Sequence, residues 1–117
     1  MIEVYGIPNC NTVKKAVDWL KAHSLEYRFH DYKKEGITEE KLKVWSKHFG
    51  WEKLVNKAGT TWKKLSDDEK EAITTESAAI KLMMEHNRVI RRPVIEAGKK
   101  KIIRFNEDEY SATLLKK

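Results

Sequence analysis

Strand-forming patterns occur only near the two ends of this chain, and this arrangement limits the folds that it can adopt. Residues 2–6 alternate between apolar and polar side chains and are rich in β-branched and aromatic types, and residues 25–32 alternate again. Between them, apolar residues at the i, i+3, i+4 and i+7 positions predict a helix over residues 12–23. A strand, a helix and a strand in this order favour a right-handed βαβ unit with two parallel strands.

The middle of the chain, residues 33–87, carries helical patterns throughout. Thr38 is placed to cap a helix that ends at Gly50. Ser66 and Glu69 match a capping box, which is the signature of a further helix start. The segment is therefore predicted to be an all-helical insert.

Strand patterns return after the insert. Residues 94–96 and 101–105 flank a turn that contains Gly98, which predicts a β-hairpin. A last helix is expected to begin at Asn106, a residue type that caps helices. The resulting order, β-α-β, helical insert, β-β-α, is the connectivity of an α/β thioredoxin-like fold with an expanded centre, although a ferredoxin-like arrangement shares part of that order.

The chain is predicted to form a single domain over residues 1–117, because this length is sufficient for one hydrophobic core. The thioredoxin-like core would comprise residues 1–32 and 88–117, with the insert at residues 33–87 between them. The sequence has no apolar run of about 18 residues and no signal-peptide pattern. We therefore expect a cytoplasmic protein that does not bind a membrane.

The formal net charge is +6, from 24 basic and 18 acidic side chains. The lysines are dispersed among acidic residues, which is typical of a solvated surface rather than of a face that binds nucleic acid. Arginine can bind an oxyanion through two parallel hydrogen bonds, whereas lysine acts as a point charge. A local change to arginine near the C-terminus therefore indicates a candidate anion site, and four of the five arginines lie there: Arg88, Arg91, Arg92 and Arg104.

Cys10 is the strongest candidate for chemistry. It is the only cysteine, so it cannot form an internal disulfide or a cysteine-rich metal site. It lies in a loop between a predicted strand and a predicted helix, where unpaired backbone N–H groups and the helix dipole stabilise a thiolate. The alternative, an inert cysteine in the core, is disfavoured by the turn-forming residues on both sides. Asn11 and Thr12, at the start of the helix, are candidates for anion binding.

The absence of a second cysteine limits what Cys10 can do. Val13 occupies the position at which a Cys-X-X-Cys pair would have its second cysteine, so an adduct on Cys10 must be resolved by an external thiol such as glutathione. Ala16 stands where a low-molecular-weight phosphatase loop requires arginine, which excludes that class of enzyme.

The segment Arg91–Val94 is the second candidate for function. Pro93 begins a predicted strand, and the proline at this place in thioredoxin-like folds is commonly cis, which brings the neighbouring backbone against the redox loop. Arg92 would then lie near Cys10. The simpler alternative is a basic pair at the start of a strand. Arg104, on the other strand of the hairpin, is a weaker candidate of the same kind.

Four short motifs are spread over nearly the whole chain: Tyr-Gly-Ile-Pro-Asn-Cys-Asn-Thr-Val-Lys-Lys-Ala at residues 5–16, Phe-His-Asp-Tyr at 29–32, Gly-Thr-Thr-Trp-Lys-Lys-Leu at 59–65, and Ile-Arg-Arg-Pro-Val at 90–94. Together and in this order they resemble the ArsC/Spx family, most closely its small YffB-like branch. The resemblance implies a thioredoxin-like fold with a helical insert, which agrees with the order of elements predicted above.

The resemblance also implies roles for individual residues. In the glutathione- and glutaredoxin-linked arsenate reductases of this family, a loop cysteine attacks arsenate, three arginines hold the oxyanion, and glutathione resolves the adduct. Cys10 matches the nucleophile, Arg92 matches one arginine, and Arg104 matches another. The third position has no arginine here, and only Lys57 could supply a charge in its place. Gly6 stands where those enzymes carry a histidine that helps to lower the thiol pKa.

Two functions follow from the resemblance. The first is a glutathione-dependent thiol or arsenate reductase with glutathione as co-substrate, glutaredoxin as a further partner, and no bound cofactor. The second is a non-catalytic Spx/MgsR-like regulator that binds RNA polymerase, although Val13 denies this chain the Cys-X-X-Cys switch that such regulators often carry. We expect a monomer that binds no nucleic acid directly. We also expect no bound metal, since the four histidines lack ligand spacing.

Overall fold

The computed structural model describes residues 1–115, so the last two residues of the predicted core segment lie outside the described range. In chain order the elements are β1 (Ile2–Gly6), α1 (Asn11–Ala22), β2 (Tyr27–Asp31), α2 (Tyr32–Glu35), α3 (Glu39–Phe49), α4 (Trp51–Leu54), α5 (Thr60–Lys63), α6 (Asp67–Ala72), α7 (Glu76–Glu85), a 3-10 turn (Asn87–Val89), β3 (Val94–Ala97), β4 (Lys100–Ile103) and α8 (Glu107–Leu114). This order agrees with the predicted β-α-β, helical insert, β-β-α. No helix within residues 1–115 is long and apolar enough to cross a membrane.

The chain divides into two compact units. The sheet unit comprises Met1–Glu35 together with the chain from Arg92 onward, and the helical unit comprises Gly36–Arg91. The sheet has the order β2-β1-β3-β4. β1 pairs in parallel with β2, as predicted for the βαβ unit, and β3 is antiparallel to β1 and β4. This arrangement is a thioredoxin-like fold, and it differs from the ferredoxin-like alternative because the two parallel strands are direct neighbours rather than split by another strand.

The core of the sheet unit is built from one face of the sheet together with α1 and α8. Val4 of β1 is fully buried, with Phe29 and Ile95 as its register partners on the neighbouring strands. The apolar stripe of α1 packs on this face because its residues recur at helical spacing. The buried members of the cluster are Val4, Ala16, Trp19, Leu20, Ile95, Ile102 and Tyr110.

The second strand is shorter than predicted. The alternating pattern predicts a strand over residues 25–32, whereas Tyr32 is the first residue of α2. The Asp31 carboxylate ends the strand because it accepts a hydrogen bond from the Lys33 N–H at 2.8 Å, and Glu35 accepts one from the Asp31 N–H. The sheet unit therefore continues to Glu35, three residues beyond the predicted boundary.

The other boundary also differs from the prediction. The predicted core segment begins at residue 88, whereas residues 88–91 belong to the helical unit. The Arg91 N–H donates to the Leu54 carbonyl at 2.8 Å, and Ile90 forms an isolated β-bridge with Val55. These backbone bonds, between segments distant in sequence, hold residues 88–91 to the helices.

The helix ends of the helical unit follow the predicted signals. Thr38 accepts a hydrogen bond from the backbone of α3 as its N-cap, and Gly50 ends that helix with a φ of 89°. Ser66 and Glu69 form the predicted capping box at the start of α6. The largest fully buried side chains of this unit come from its helices and the turns between them: Leu42, Trp45, Leu54, Val55, Met83, Val89 and Ile90.

Candidate active site

The loop after β1 places Cys10 at the N-terminal end of α1. Cys10 is the N-cap residue, with φ of −111° and ψ of 126°, and its carbonyl accepts a hydrogen bond from the Lys14 N–H at 2.9 Å. Its side chain is half-buried and forms no capping hydrogen bond. A cysteine at this position faces the N–H groups of the first helical turn, which have no partners within the helix.

The pKa of the Cys10 thiol lies below its ordinary value. Partial burial would raise this pKa, because a charged sulfur loses hydration. The Val13 N–H, the Arg92 guanidinium and the Thr12 N–H together outweigh burial, since each favours the ionised sulfur. A thiolate accepts hydrogen bonds more strongly than a thiol, so these interactions stabilise the ionised form more than the neutral form. Cys10 is therefore suited to act as a nucleophile.

Strand pairing brings Arg92 to Cys10. The Arg92–Pro93 peptide bond is cis, which is the isomer predicted from the sequence. β3 begins immediately afterwards, and its first residue, Val94, pairs with Tyr5 at the end of β1. A Cβ atom at Gly6 would consequently lie 3.8 Å from the Cβ of Arg92. The Arg92 guanidinium lies within hydrogen-bonding reach of the Cys10 sulfur and lowers the pKa of the thiol.

Arg104 lies opposite Pro93, at the end of the hairpin. Its N–H donates to the Pro93 carbonyl at 2.8 Å, and its own carbonyl accepts a hydrogen bond from the Tyr110 hydroxyl. The backbone of Arg104 is left-handed, with a φ of 67°, and the side chain is exposed. The structure therefore ties the Arg104 backbone to the cis-proline segment, and the role of its guanidinium in anion binding stays a prediction.

The other predicted anion-binding residues have different surroundings. Thr12 acts on Cys10 through its backbone N–H, whereas the neighbouring Asn11 is exposed. Lys57 belongs to the helical unit, where its exposed ammonium group lies 5.4 Å from the centre of the Trp62 ring. That distance is within the range of a cation–π interaction. Anion binding by these side chains stays a prediction.

Tyr32 is a neighbour of the site that the sequence interpretation missed. Its side chain is 1% exposed, and burial raises the pKa of its hydroxyl, as do the nearby Tyr5 and Glu96, while Arg92 acts in the opposite direction. Arg92, Tyr5 and Glu96 therefore lie close enough to influence the Tyr32 hydroxyl. The motif at residues 29–32 contains this tyrosine, but its alternation pattern predicts only one more residue of a strand.

A polar network covers part of the sheet face opposite the core. The Tyr5 hydroxyl donates to Glu96 Oε1 at 3.3 Å, and the Tyr5 ring stacks on His30 with 4.4 Å between ring centres. The two ring nitrogens of His30 lie 3.3 Å from Glu3 Oε1 and 3.2 Å from Glu35 Oε1. Within residues 1–115, no group of three His, Cys, Asp or Glu side chains could hold a metal ion.

Comparison with known proteins gives the family of the chain. The signature of the ArsC family matches residues 5–113, which span both units. The chain belongs to the ArsC family. An uncharacterized protein of Haemophilus influenzae is 43% identical over 112 residues, which cover 96% of this chain and 97% of that protein. The global transcriptional regulator Spx of Streptococcus agalactiae is 32% identical over 116 residues, which cover 97% of this chain and 83% of Spx.

Solved structures agree with this assignment. The structure of the YffB protein is 43% identical, has a TM-score of 0.93, and matches over 97% of this chain and 99% of that chain. The solution structure of an arsenate reductase (ArsC) related protein from Brucella melitensis is 42% identical, has a TM-score of 0.74, and matches over 97% and 93% of the two chains. These findings confirm the resemblance inferred from the four sequence motifs.

Proposed function

We propose that this ArsC-family protein is a glutathione-dependent reductase of thiol adducts or arsenate, with Cys10 as its nucleophile. The observation that carries the proposal is the lowered pKa of the Cys10 thiol, because the thiolate is the form that attacks. The likeness to an arsenate reductase-related protein supports it. A reducing cytoplasm, which supplies glutathione, is the compartment that the proposal requires.

The first substrate class is a glutathione mixed disulfide. The Cys10 thiolate attacks the glutathione sulfur, forms a new disulfide and releases the substrate as a thiolate. A second glutathione, also as a thiolate, attacks this protein–glutathione disulfide, and the products are oxidised glutathione and the Cys10 thiolate. Because the chain has one cysteine, the resolving thiol comes from glutathione or from glutaredoxin.

The second substrate class is arsenate. The Cys10 thiolate forms a bond to arsenic with loss of hydroxide, and glutathione then resolves this adduct. In the overall reaction two electrons reduce arsenate to arsenite, two glutathione molecules are oxidised to one disulfide, and one water is released. The N–H groups and the Arg92 guanidinium that favour a thiolate also favour an oxyanion at the same place. Arg104, Asn11, Thr12 and Lys57 are proposed to assist in holding that anion.

Mass spectrometry tests the proposal directly. After incubation with oxidised glutathione, we expect the wild-type protein to gain about 305 Da on Cys10, the mass of one glutathione in a mixed disulfide. Reduced glutathione should then remove the adduct, and Cys10→Ser should gain no mass. A parallel assay follows turnover with arsenate and glutathione. A wild-type protein that neither forms the adduct nor turns over either substrate would contradict the proposal.

A non-catalytic regulator is the second candidate function. The observation that favours it is the 32% identity to the global transcriptional regulator Spx over 97% of this chain. In this case the protein would bind RNA polymerase, and Cys10 would at most sense oxidation. The test is whether the wild type and Cys10→Ser both capture purified RNA polymerase. Capture by both, without reductase activity in the wild type, would favour the regulator over the enzyme.

A further inference from the structure

Gly6 is buried at the end of β1, against the first turn of α1. A Cβ atom at this position would lie 2.8 Å from Cγ2 of Val13 and 3.5 Å from its Cγ1. Two carbon atoms that are not bonded repel each other at 2.8 Å, because their optimal separation is about 3.5–4.0 Å. A side chain at residue 6 therefore requires Val13, or the helix that carries it, to move.

The glycine is not needed for the backbone conformation. The positive φ angles of this chain's glycines are found at Gly36, Gly50 and Gly98, and Gly6 is not among them. Each of those three has open space where a Cβ atom would be, whereas Gly6 has conventional backbone angles and no space. The reason for a glycine at residue 6 is therefore the close approach of β1 and α1.

Val13 has little freedom to make room. Its side chain is 2% exposed, and a β-branched residue in a helix has one strongly preferred χ1 rotamer. It is also the third residue of α1, and its backbone N–H is a main contributor to the stabilisation of the Cys10 thiolate. A displacement of Val13 would therefore change the geometry of the N–H groups at the sulfur.

We propose that Gly6 is a positioning residue for the Cys10 nucleophile, because its missing side chain lets the first turn of α1 approach β1 closely enough for the Val13 N–H to face the sulfur. Gly6 acts through Val13, since it carries no side chain that could take part in the reaction. The proposal deepens the proposed function and rests on it, since an activated thiol is what both require. It names the packing contact that maintains that activation.

Three variants test this contact: Gly6→Ala, Val13→Ala and the double variant. The readout is the rate of alkylation of Cys10 as a function of pH, which gives the thiol pKa without any substrate. We expect Gly6→Ala to raise the thiol pKa and to slow alkylation several-fold at neutral pH. The double variant removes both Cγ atoms that the new methyl group would strike, so its pKa should return to that of Val13→Ala. Such non-additivity is the signature of direct contact.

Gly59→Ala is the matched control. Gly59 belongs to the helical unit rather than to the sheet unit that contains Cys10, and a Cβ atom there would lie 3.0 Å from the Asn56 amide, so this variant introduces a similar steric conflict in the other unit. Its thiol pKa should equal that of the wild type. Circular dichroism and thermal unfolding check that every variant is folded.

Several outcomes would overturn the proposal. A wild-type thiol pKa in folded Gly6→Ala would do so, and so would a double variant that is as slow to react as Gly6→Ala. If Gly6→Ala alone does not fold, a folded double variant with the pKa of Val13→Ala supports the contact, and an unfolded double variant overturns it. Absence of reductase activity in the wild type would contradict the proposed function but would leave the thiol measurement intact.

Discussion

At the residue scale, the lowered pKa of the Cys10 thiol depends on groups that come from two segments distant in sequence. The first turn of α1 supplies N–H groups, and the residue before Pro93 supplies a guanidinium. The N–H groups belong to the same local structure as the cysteine, whereas Arg92 reaches it through the pairing of β1 with β3. Their contributions can therefore be separated by substitution.

Arg92→Ala is expected to raise the pKa of the Cys10 thiol. The variant loses both the hydrogen bond and the charge of the guanidinium, while the burial that opposes ionisation remains. Alkylation of Cys10 at neutral pH should slow several-fold, and the pH profile of the rate should move to higher pH. Alkylation reactions that are quenched at intervals and analysed by mass spectrometry give both the rate at neutral pH and the pH profile of the rate.

Arg104→Ala is the control for this measurement. The Arg104 guanidinium is exposed, and the groups that lower the Cys10 pKa include Arg92 but not Arg104. Its thiol pKa should match the wild type, whereas its KM for an anionic substrate should rise if the predicted role in anion binding is correct. Equal shifts of the thiol pKa in both arginine variants would contradict separate roles for Arg92 and Arg104.

At the scale of elements, α1 has two functions, one at its N-terminus and one along its apolar face. Its N-terminus faces Cys10, and its apolar stripe anchors the helix to the sheet through Ala16, Trp19 and Leu20. Because the helix is attached to the core over its length, its first turn is held at a defined place relative to β1. Core packing in α1 therefore supports the geometry of the thiolate.

Leu20→Ala should destabilise the protein strongly. Leu20 is 0% exposed, so removal of its methyl groups loses buried apolar contacts and leaves a cavity, which typically costs about 2–5 kcal/mol in the free energy of unfolding. Val44→Ala in α3 is the control, because Val44 is 48% exposed and its loss should cost within about 0.5 kcal/mol. Urea unfolding followed by circular dichroism measures both. Similar losses in the two variants would disagree with the assigned core.

At the scale of the whole molecule, buried tyrosines link stability to alkaline pH. Burial raises the pKa of Tyr32 and of Tyr110 above the ordinary value. In the folded protein their hydroxyls therefore stay neutral at a pH at which the unfolded chain already ionises them. Their contribution to stability is fully present below about pH 10 and is lost as the pH rises further, because the unfolded state then binds fewer protons than the folded state.

The free energy of unfolding should accordingly fall between pH 9 and pH 11. Once the pH exceeds the pKa of tyrosine in the unfolded chain, each of the two buried tyrosines lowers this free energy by up to roughly 1.4 kcal/mol per pH unit. In Tyr110→Phe this fall should be smaller, although the variant also loses the hydrogen bond to the Arg104 carbonyl at every pH. Leu114→Ala, which removes a partly buried residue of the same helix without a titratable group, should lower stability equally at both pH values. An unchanged pH dependence in Tyr110→Phe would contradict this assignment.

Much of the fold follows from local patterns. The alternation in β1, the helical spacing in α1 and the capping residues Thr38, Ser66 and Asn106 all predict elements that the structure contains. The pattern at Tyr32 is misleading, because the Asp31 carboxylate accepts a hydrogen bond from the Lys33 N–H and a helix starts where alternation alone predicts a strand. Short-range hydrogen bonds of this kind compete with periodicity and are not visible in it.

The features of the candidate site also fall into two groups: those that local sequence predicts and those that depend on tertiary packing. Cys10 at the start of α1 is recognisable from sequence, because N–H groups at a helix start come from the residues that directly follow the cysteine. The effect of Arg92 on the thiol, the proximity of Tyr32 to Arg92, and the contact of Gly6 with Val13 arise only when the chain has folded. Local propensity acts over a few residues, whereas steric fit and electrostatic interaction depend on distances through space. The position of the single cysteine at a helix start could therefore be inferred from sequence, whereas the groups from other segments that lower its pKa required the folded arrangement.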